Sequence, residues 1–203
     1  MSGRFWLRVI LIYAVVQVLF STNIINDYMK MVIQLGCVMT IVSLGLNLIY
    51  GFNGQFSLGQ WGFYALGAYA SADLTYRFAA KVSLPLNLGF ATFDIGKIGI
   101  YIVAIAFGAA LSGLVAYLFG LPVLRLGSDY FGIATLGFTI VIKVLADNSD
   151  TILPFPEMKG ARGMVGIPKV TSWIWVAVAL LIVIAVVRNL LHSSHGRAVS
   201  RPG

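Results

Sequence analysis

Of the chain's 203 residues, 59% are hydrophobic and only 10% are charged, against roughly 45–50% and about 25% in an ordinary soluble domain. That balance excludes a water-soluble globule and makes a bilayer the solvent for most of the chain. The formal net charge of +7 is scattered, without the cluster of about 4–8 Lys/Arg that marks an anionic-lipid or nucleic-acid surface, so no nucleic-acid partner is expected.

A segment crossing lipid must satisfy its own backbone polar groups, so it is a helix or part of a closed barrel. The apolar runs here do not alternate as barrel strands do. The expected fold is all-α, a polytopic transmembrane helix bundle forming a single domain over residues 1–203.

The first apolar run, Val9 to Phe20, follows Arg4 and Arg8 and has the form of a signal-peptide core. No small-x-small cleavage site follows it. With Phe5, Trp6 and Leu7 it is long enough to span, so an uncleaved first helix with a cytoplasmic basic end is expected. Further spans are expected at about Met29 to Tyr50, Trp61 to Ala80, Ile98 to Gly120, Tyr130 to Ala146 and Trp173 to Leu191. This makes six spans with both ends cytoplasmic. Arg4, Arg8, Arg125, Arg188, Arg197 and Arg201 then lie inside with Asp129, and orientation rests mainly on the two ends. Cys37 lies in an apolar run and reads as a packing residue. Gly67 with Ser71, and Ala109 with Gly113, have the spacing of small-residue helix contacts.

The stretch GFNGQFSLGQ, residues 51–60, joins the second and third spans without a charge. Asn53, Gln55, Ser57 and Gln60 supply polar groups, while Gly51, Gly54 and Gly59 loosen the backbone. Irregular backbone at membrane depth is tolerated only where protein buries it or water lines it. A broken or re-entrant helix beside a solute path is one reading, and an ordinary cytoplasmic turn built from Gly, Asn and Ser is the other.

Asp73 with Arg77, and Lys143 with Asp147, are i, i+4 pairs that can neutralise themselves. Asp129, before Tyr130 and Phe131, is a natural helix N-cap, with a gating role as its alternative. His192 and His195 lack further ligands for a metal site. No phosphate-cradling loop, nucleophile–base pair or cofactor box occurs, so no enzymatic activity, metal or cofactor is expected, and ATP could act only through a partner.

The segment GLNLIYGFNGQFSLGQWGFYALGAYASA, Gly45 to Ala72, resembles the signature of the inner-membrane permeases of bacterial branched-chain amino acid importers, the LivM type. LPVLRLGSDYFGIATLGF (Leu121 to Phe138), KGARGMVGIP (Lys159 to Pro168) and SHGRA (Ser194 to Ala198) are similar to further family segments in the same order. The resemblance implies a permease subunit in a complex with a second permease, two cytoplasmic ATPases that bind ATP, and an external solute-binding protein. The cargo would be leucine, isoleucine, valine or a related solute such as urea or a short amide. It also implies that Asn53, Gln55, Ser57 and Gln60 border the substrate pathway and that Arg197 opens the surface touching the ATPase. The family continues beyond this point, and a C-terminal truncation is the expectation. The rival readings are an ion-coupled secondary transporter, for which neither an internal repeat nor an unpaired mid-span carboxylate is evident, and a nonfunctional remnant of a permease.

Overall fold

The computed structural model describes residues 15–20, 25–52, 54–79, 85–87, 92–125, 128–152, 155, 158–167 and 172–193. Helices dominate. Four of them, Asp27–Gly51, Gly96–Val123, Tyr130–Asp147 and Trp173–His192, are long and apolar enough to cross a membrane. Each is therefore matched to a hydrocarbon core of about 30 Å at 1.5 Å per residue.

Residues divide into two compact units, 1–48 with 171–203, and 49–170. In the first, helix α1 is described over residues 15–20, α2 covers Asp27–Asn47 and α7 covers Trp173–His192. The first expected span thus lies mostly outside the described residues. α2 packs on α7, and the Phe20 and Trp173 rings meet at 5.1 Å. α2 starts after Asn26, whose carbonyl accepts from Lys30 N–H at 3.0 Å, and Lys30 Nζ reaches Asp27 at 3.2 Å. α2 buries no residue. At the far end of α7, His192 lies in the last turn, where the helix dipole favours cations.

The second unit holds α3 (Gln60–Ala79), a hairpin of β1 (Pro85–Asn87) and β2 (Thr92–Asp94), α4 (Ile95–Val123), α5 (Ser128–Asp147) and the single turn α6 (Ser149–Ile152). The antiparallel register pairs Leu86 with Phe93. This hairpin and an isolated antiparallel bridge between Met158 and Met164 are the departures from an all-α chain among the described residues. α3 is a 20-residue helix where a third span was expected, but Gln60, Asp73 and Arg77 make it more polar than the other long helices, and it is not among the four apolar ones. α4, with 29 residues, is about 43 Å long, enough to cross with tilt. Pro122 falls in its last turn, where the helix is ending anyway.

Little apolar surface is buried. Among the described residues the buried hydrophobic side chains are Ala104, Val123, Phe131, Met158, Val176 and Ala177, whereas Ile133 and Tyr117 are 67% and 66% exposed. Such faces suit lipid, against which apolar burial gives helices no net attraction, so close backbone packing and hydrogen bonds must hold the unit. α3 and α4 supply both. A Cβ on Gly108 would lie 2.5 Å from the Gly67 carbonyl oxygen and 3.1 Å from Ser71 Cβ. Ser112 Oγ donates to the Phe63 carbonyl at 2.9 Å. The expected Gly67 and Ser71 do face a neighbour, but the expected Ala109 and Gly113 do not: both are exposed, and a Cβ on Gly113 would meet nothing. The facing residues on α4 are Gly108 and Ser112, one position and so about 100° round the helix.

Of the two expected ion pairs, Arg77 Nε bonds both Asp73 oxygens, at 2.9 and 3.0 Å, and the Arg77 guanidinium lies 4.1 Å from the Phe155 ring centroid. No ion pair joins Lys143 to Asp147, whose side chains are both exposed.

Candidate functional site

Backbone geometry at the end of the second apolar run sets the site. The chain leaves α2 through a π-helical turn, Leu48–Phe52, a form found mostly at irregular or functional points of helices. Gly54 then takes φ +68°, a left-handed conformation that glycine adopts without a Cβ penalty. Gln55 N–H reaches back to the Ile49 carbonyl at 3.4 Å. From there residues 54–58 run without helix until α3 begins at Gln60. Helix is interrupted over residues 54–59.

Along this stretch burial alternates. Gln55 is half-buried, Phe56 is 49% exposed, Ser57 is buried at 6% and Leu58 is 38% exposed. Ser57 thus faces protein, while Phe56 keeps half its surface exposed although one edge of its ring lies against Gly132 of α5.

α5 forms the inward wall. The Leu58 N–H donates to Thr135 Oγ1 at 3.0 Å, and Thr139 Oγ1 donates to the Leu58 carbonyl at 2.8 Å. The two threonines are one helical turn apart and thereby satisfy both backbone groups of one broken-segment residue. Thr135, 2% exposed, also donates to the Gly132 carbonyl at 3.0 Å. Close approach depends on glycine: a Cβ at Gly59 would meet Thr135 Cβ at 3.2 Å, at Gly62 the Phe138 ring at 2.9 Å, and at Gly132 the Phe56 ring at 2.9 Å. Below the break, Phe138 stacks between Phe63 and Phe119, with centroids 4.5 and 4.6 Å away.

Ser57 Oγ accepts from Gly59 N–H at 3.4 Å, a local turn contact. The Gln55 and Gln60 carboxamides, both half-buried, make no hydrogen bond among the described residues. Asn53 and Arg197 lie outside the described residues. Asp129 is the second residue of α5, which begins at Ser128, so it occupies the first helical turn and not the N-cap position. Gln55 and Ser57 lie on the segment between the helices and Gln60 is the first residue of α3, while Thr135 and Thr139 of α5 hold the backbone at Leu58. Sequence reading passed over those two, although their i, i+4 spacing in an otherwise apolar helix was a visible signal.

This arrangement offers a hydrogen-bonded break with two amides that have no hydrogen-bond partner among the described residues, each carrying donors and an acceptor.

Comparison with known proteins places the chain in a family. A family model described as the permease component of the branched-chain amino acid transport system matches residues 28–201. The high-affinity branched-chain amino acid transport system permease protein LivM of Salmonella typhimurium (strain LT2) is 35% identical over 131 residues, 64% of this chain and 25% of that protein. The LivM protein of Escherichia coli (strain K12) is 34% identical over 131 residues, with the same coverage. The matched stretch thus spans a quarter of the length of these relatives. No solved structure matches the chain.

Proposed function

The chain belongs to the permease-component family of branched-chain amino acid transport systems, as a multi-pass protein of the bacterial inner membrane, and from that premise we propose that it is a permease subunit of an ATP-driven importer. Its cargo is leucine, isoleucine, valine or a close relative. A second permease completes the solute path, two cytoplasmic ATPases bind the ATP, and an external binding protein delivers the solute. The family implies all three partners. Its own chemistry is binding and conformational change, and ATP shifts the balance only through differential contact with two arrangements.

The observation that carries this reading is the break at residues 51–60, where Gln55 and Gln60 keep unpartnered amides beside a backbone fixed by Thr135 and Thr139. Polar groups at membrane depth need water, protein or solute as partners. A solute path supplies that need, as water would around an ordinary cytoplasmic turn, and membership of a permease family favours the path. The arginines at the two ends, Arg4 and Arg8 with Arg197 and Arg201, favour cytoplasmic ends, with Arg197 at the ATPase contact.

The test is uptake of labelled leucine by membranes holding this chain with ATPases, partner permease and binding protein of the same system. ATP-dependent uptake that falls severalfold in a Gln55→Leu, Gln60→Leu double variant is expected. Uptake driven by an ion gradient without the ATPases would replace this reading with a secondary transporter.

A further inference from the structure

α3 is held against α5 in different ways along its length. At its start the grip is close: Leu58 bonds Thr135 and Thr139 through its N–H and carbonyl, and a Cβ at Gly62 would meet the Phe138 ring at 2.9 Å and Thr139 Cα at 3.2 Å. Further along, an apolar cavity of about 290 Å³ lies between Leu66 and Tyr69 on α3 and Ile142, Leu145 and Ala146 on α5, with Met158 also in its wall. A gap forfeits the dispersion contacts of close packing, so α5 holds the middle of α3 weakly.

Residues 158–166 reach α3 beyond this gap. They form a stiff hairpin: Met158 pairs with Met164, Lys159 N–H donates to the Gly163 carbonyl at 3.1 Å, and Gly163 N–H donates to the Gly160 carbonyl at 2.9 Å. One part rests on the end of α5, where a Cβ at Gly160 would lie 2.7 Å from the Asp147 carbonyl oxygen. Another part meets α3. A Cβ at Gly163 would lie 3.9 Å from the Tyr69 hydroxyl, and one at Gly166 would lie 3.2 Å from Tyr76 Cε2. Ahead of the hairpin, the Phe155 ring centroid is 4.1 Å from the Arg77 guanidinium. At 3.6 residues per turn, positions 69, 76 and 77 share one face of α3.

We propose that residues 158–166 are a strap that latches α3 to the end of α5, and that its release lets α3 and α4 pivot together away from α5 about residues 58–62. The pivot end is hydrogen-bonded, whereas the latch consists of ring contacts that are individually weak. Release therefore occurs at the latch. α4 follows because Gly67 and Gly108 bring the two backbones together and Ser112 Oγ donates to the Phe63 carbonyl at 2.9 Å. Packed elements switch between arrangements about a few fixed residues rather than bending throughout. From residue 62 to residue 78 the helix advances about 24 Å, so a pivot of about 12° moves its free end by about 5 Å.

The experiment places pairs of spin labels on the full chain, in a Cys37→Ala background and in bilayer discs, and reads distances by pulsed electron resonance. The labelled side chains are all exposed. Phe78→Cys with Val144→Cys spans the latched seam, Trp61→Cys with Leu136→Cys the pivot, and Phe78→Cys with Ile102→Cys the seam between α3 and α4. With the strap unaltered, the first pair is expected to give the broadest distance distribution. Tyr76→Ala with Phe155→Ala, which strips the latch, should lengthen its mean distance by about 5 Å and leave the other two pairs unchanged. Equal widths for all three pairs overturn the proposal, and that comparison needs no latch variant to fold. Identical distances with and without the latch overturn it too, as does a shift shared by either of the other pairs, which would show that α3 does not turn with α4 about this pivot. No uptake is measured, so the result stands apart from the transport reading.

Discussion

Gly108 on α4 faces Gly67 on α3 so closely that a Cβ on Gly108 would lie 2.5 Å from the Gly67 carbonyl oxygen. Backbone oxygen cannot give way as a flexible side chain can. Gly108→Ala should force the helices apart and cost about 1–3 kcal/mol, the usual range for overpacking. Gly113→Ala, where nothing lies within 4 Å, should be neutral or mildly stabilising through helix propensity. Thermal unfolding in detergent of both variants checks this, and equal Tm values would remove the seam as the contact that holds α3 to α4.

Thr135 and Thr139 divide the work of fixing Leu58 unequally. Thr135→Val takes away the acceptor of a backbone N–H, and an orphaned donor costs roughly 1–3 kcal/mol. Thr139→Val removes a donor from a carbonyl, a group that tolerates incomplete pairing better. Hydrogen exchange of a peptide containing residues 54–59 should therefore quicken more in Thr135→Val than in Thr139→Val. The reverse order would show that the carbonyl contact dominates.

Gly160, at φ +58°, is confined twice over. Its Cβ would meet the Asp147 carbonyl oxygen at 2.7 Å and Asp150 Oδ1 at 2.9 Å. The left-handed conformation costs a non-glycine residue about 1–2 kcal/mol even in open space. Gly160→Ala should loosen the turn Gly160–Arg162 and raise protease cleavage within residues 158–167, while Gly99→Ala, with open space around it, should not. Unchanged cleavage would show that the turn is held by other contacts.

The sequence made the break legible because its glycines and uncharged polar residues interrupt two apolar runs. It could not show what fixes the break, since a threonine in an apolar helix commonly bonds its own preceding turn, as Thr135 does with Gly132. Spacing likewise identifies small-residue stripes without saying which one meets a neighbour. Gly108 with Ser112 and Ala109 with Gly113 have the same period, and only packing selects the first. Asp73–Arg77 and Lys143–Asp147 share the i, i+4 rule as well. Arg77 is also held by Phe155, far away in the sequence, whereas Lys143 and Asp147 are exposed and gain little from an ion pair. The hairpin Pro85–Asp94 carries too short a pattern to read.

Orientation follows from where the cations fall at the chain ends. With Arg4 and Arg8 at one end and Arg188, Arg197 and Arg201 at the other, a reporter fused after Arg197 should read cytoplasm, and one inserted between Ala161 and Arg162 should read the opposite side. Exchange of the two signals would reverse the topology.

Alternation along residues 55–58 leads to a selective prediction about water. Sequence reading placed Gln55, Ser57 and Gln60 together beside a path reached by water. Ser57 is only 6% exposed and faces the wall formed by α5, whereas Gln55 and Gln60 are half-buried with unpartnered amides. In a Cys37→Ala background, Gln55→Cys and Gln60→Cys should react with a small charged thiol reagent in membranes. Ser57→Cys should react at least tenfold more slowly, since tenfold protection corresponds to only about 1.4 kcal/mol of opening free energy, a low cost for local unfolding. Added leucine should slow the first two if the amides contact the solute, and should leave the third unchanged. Protection at all three positions would make the break a dry packing element and would remove the observation on which the transport reading rests. Equal, fast reaction at all three would show instead that the contact between Leu58 and α5 opens in the membrane.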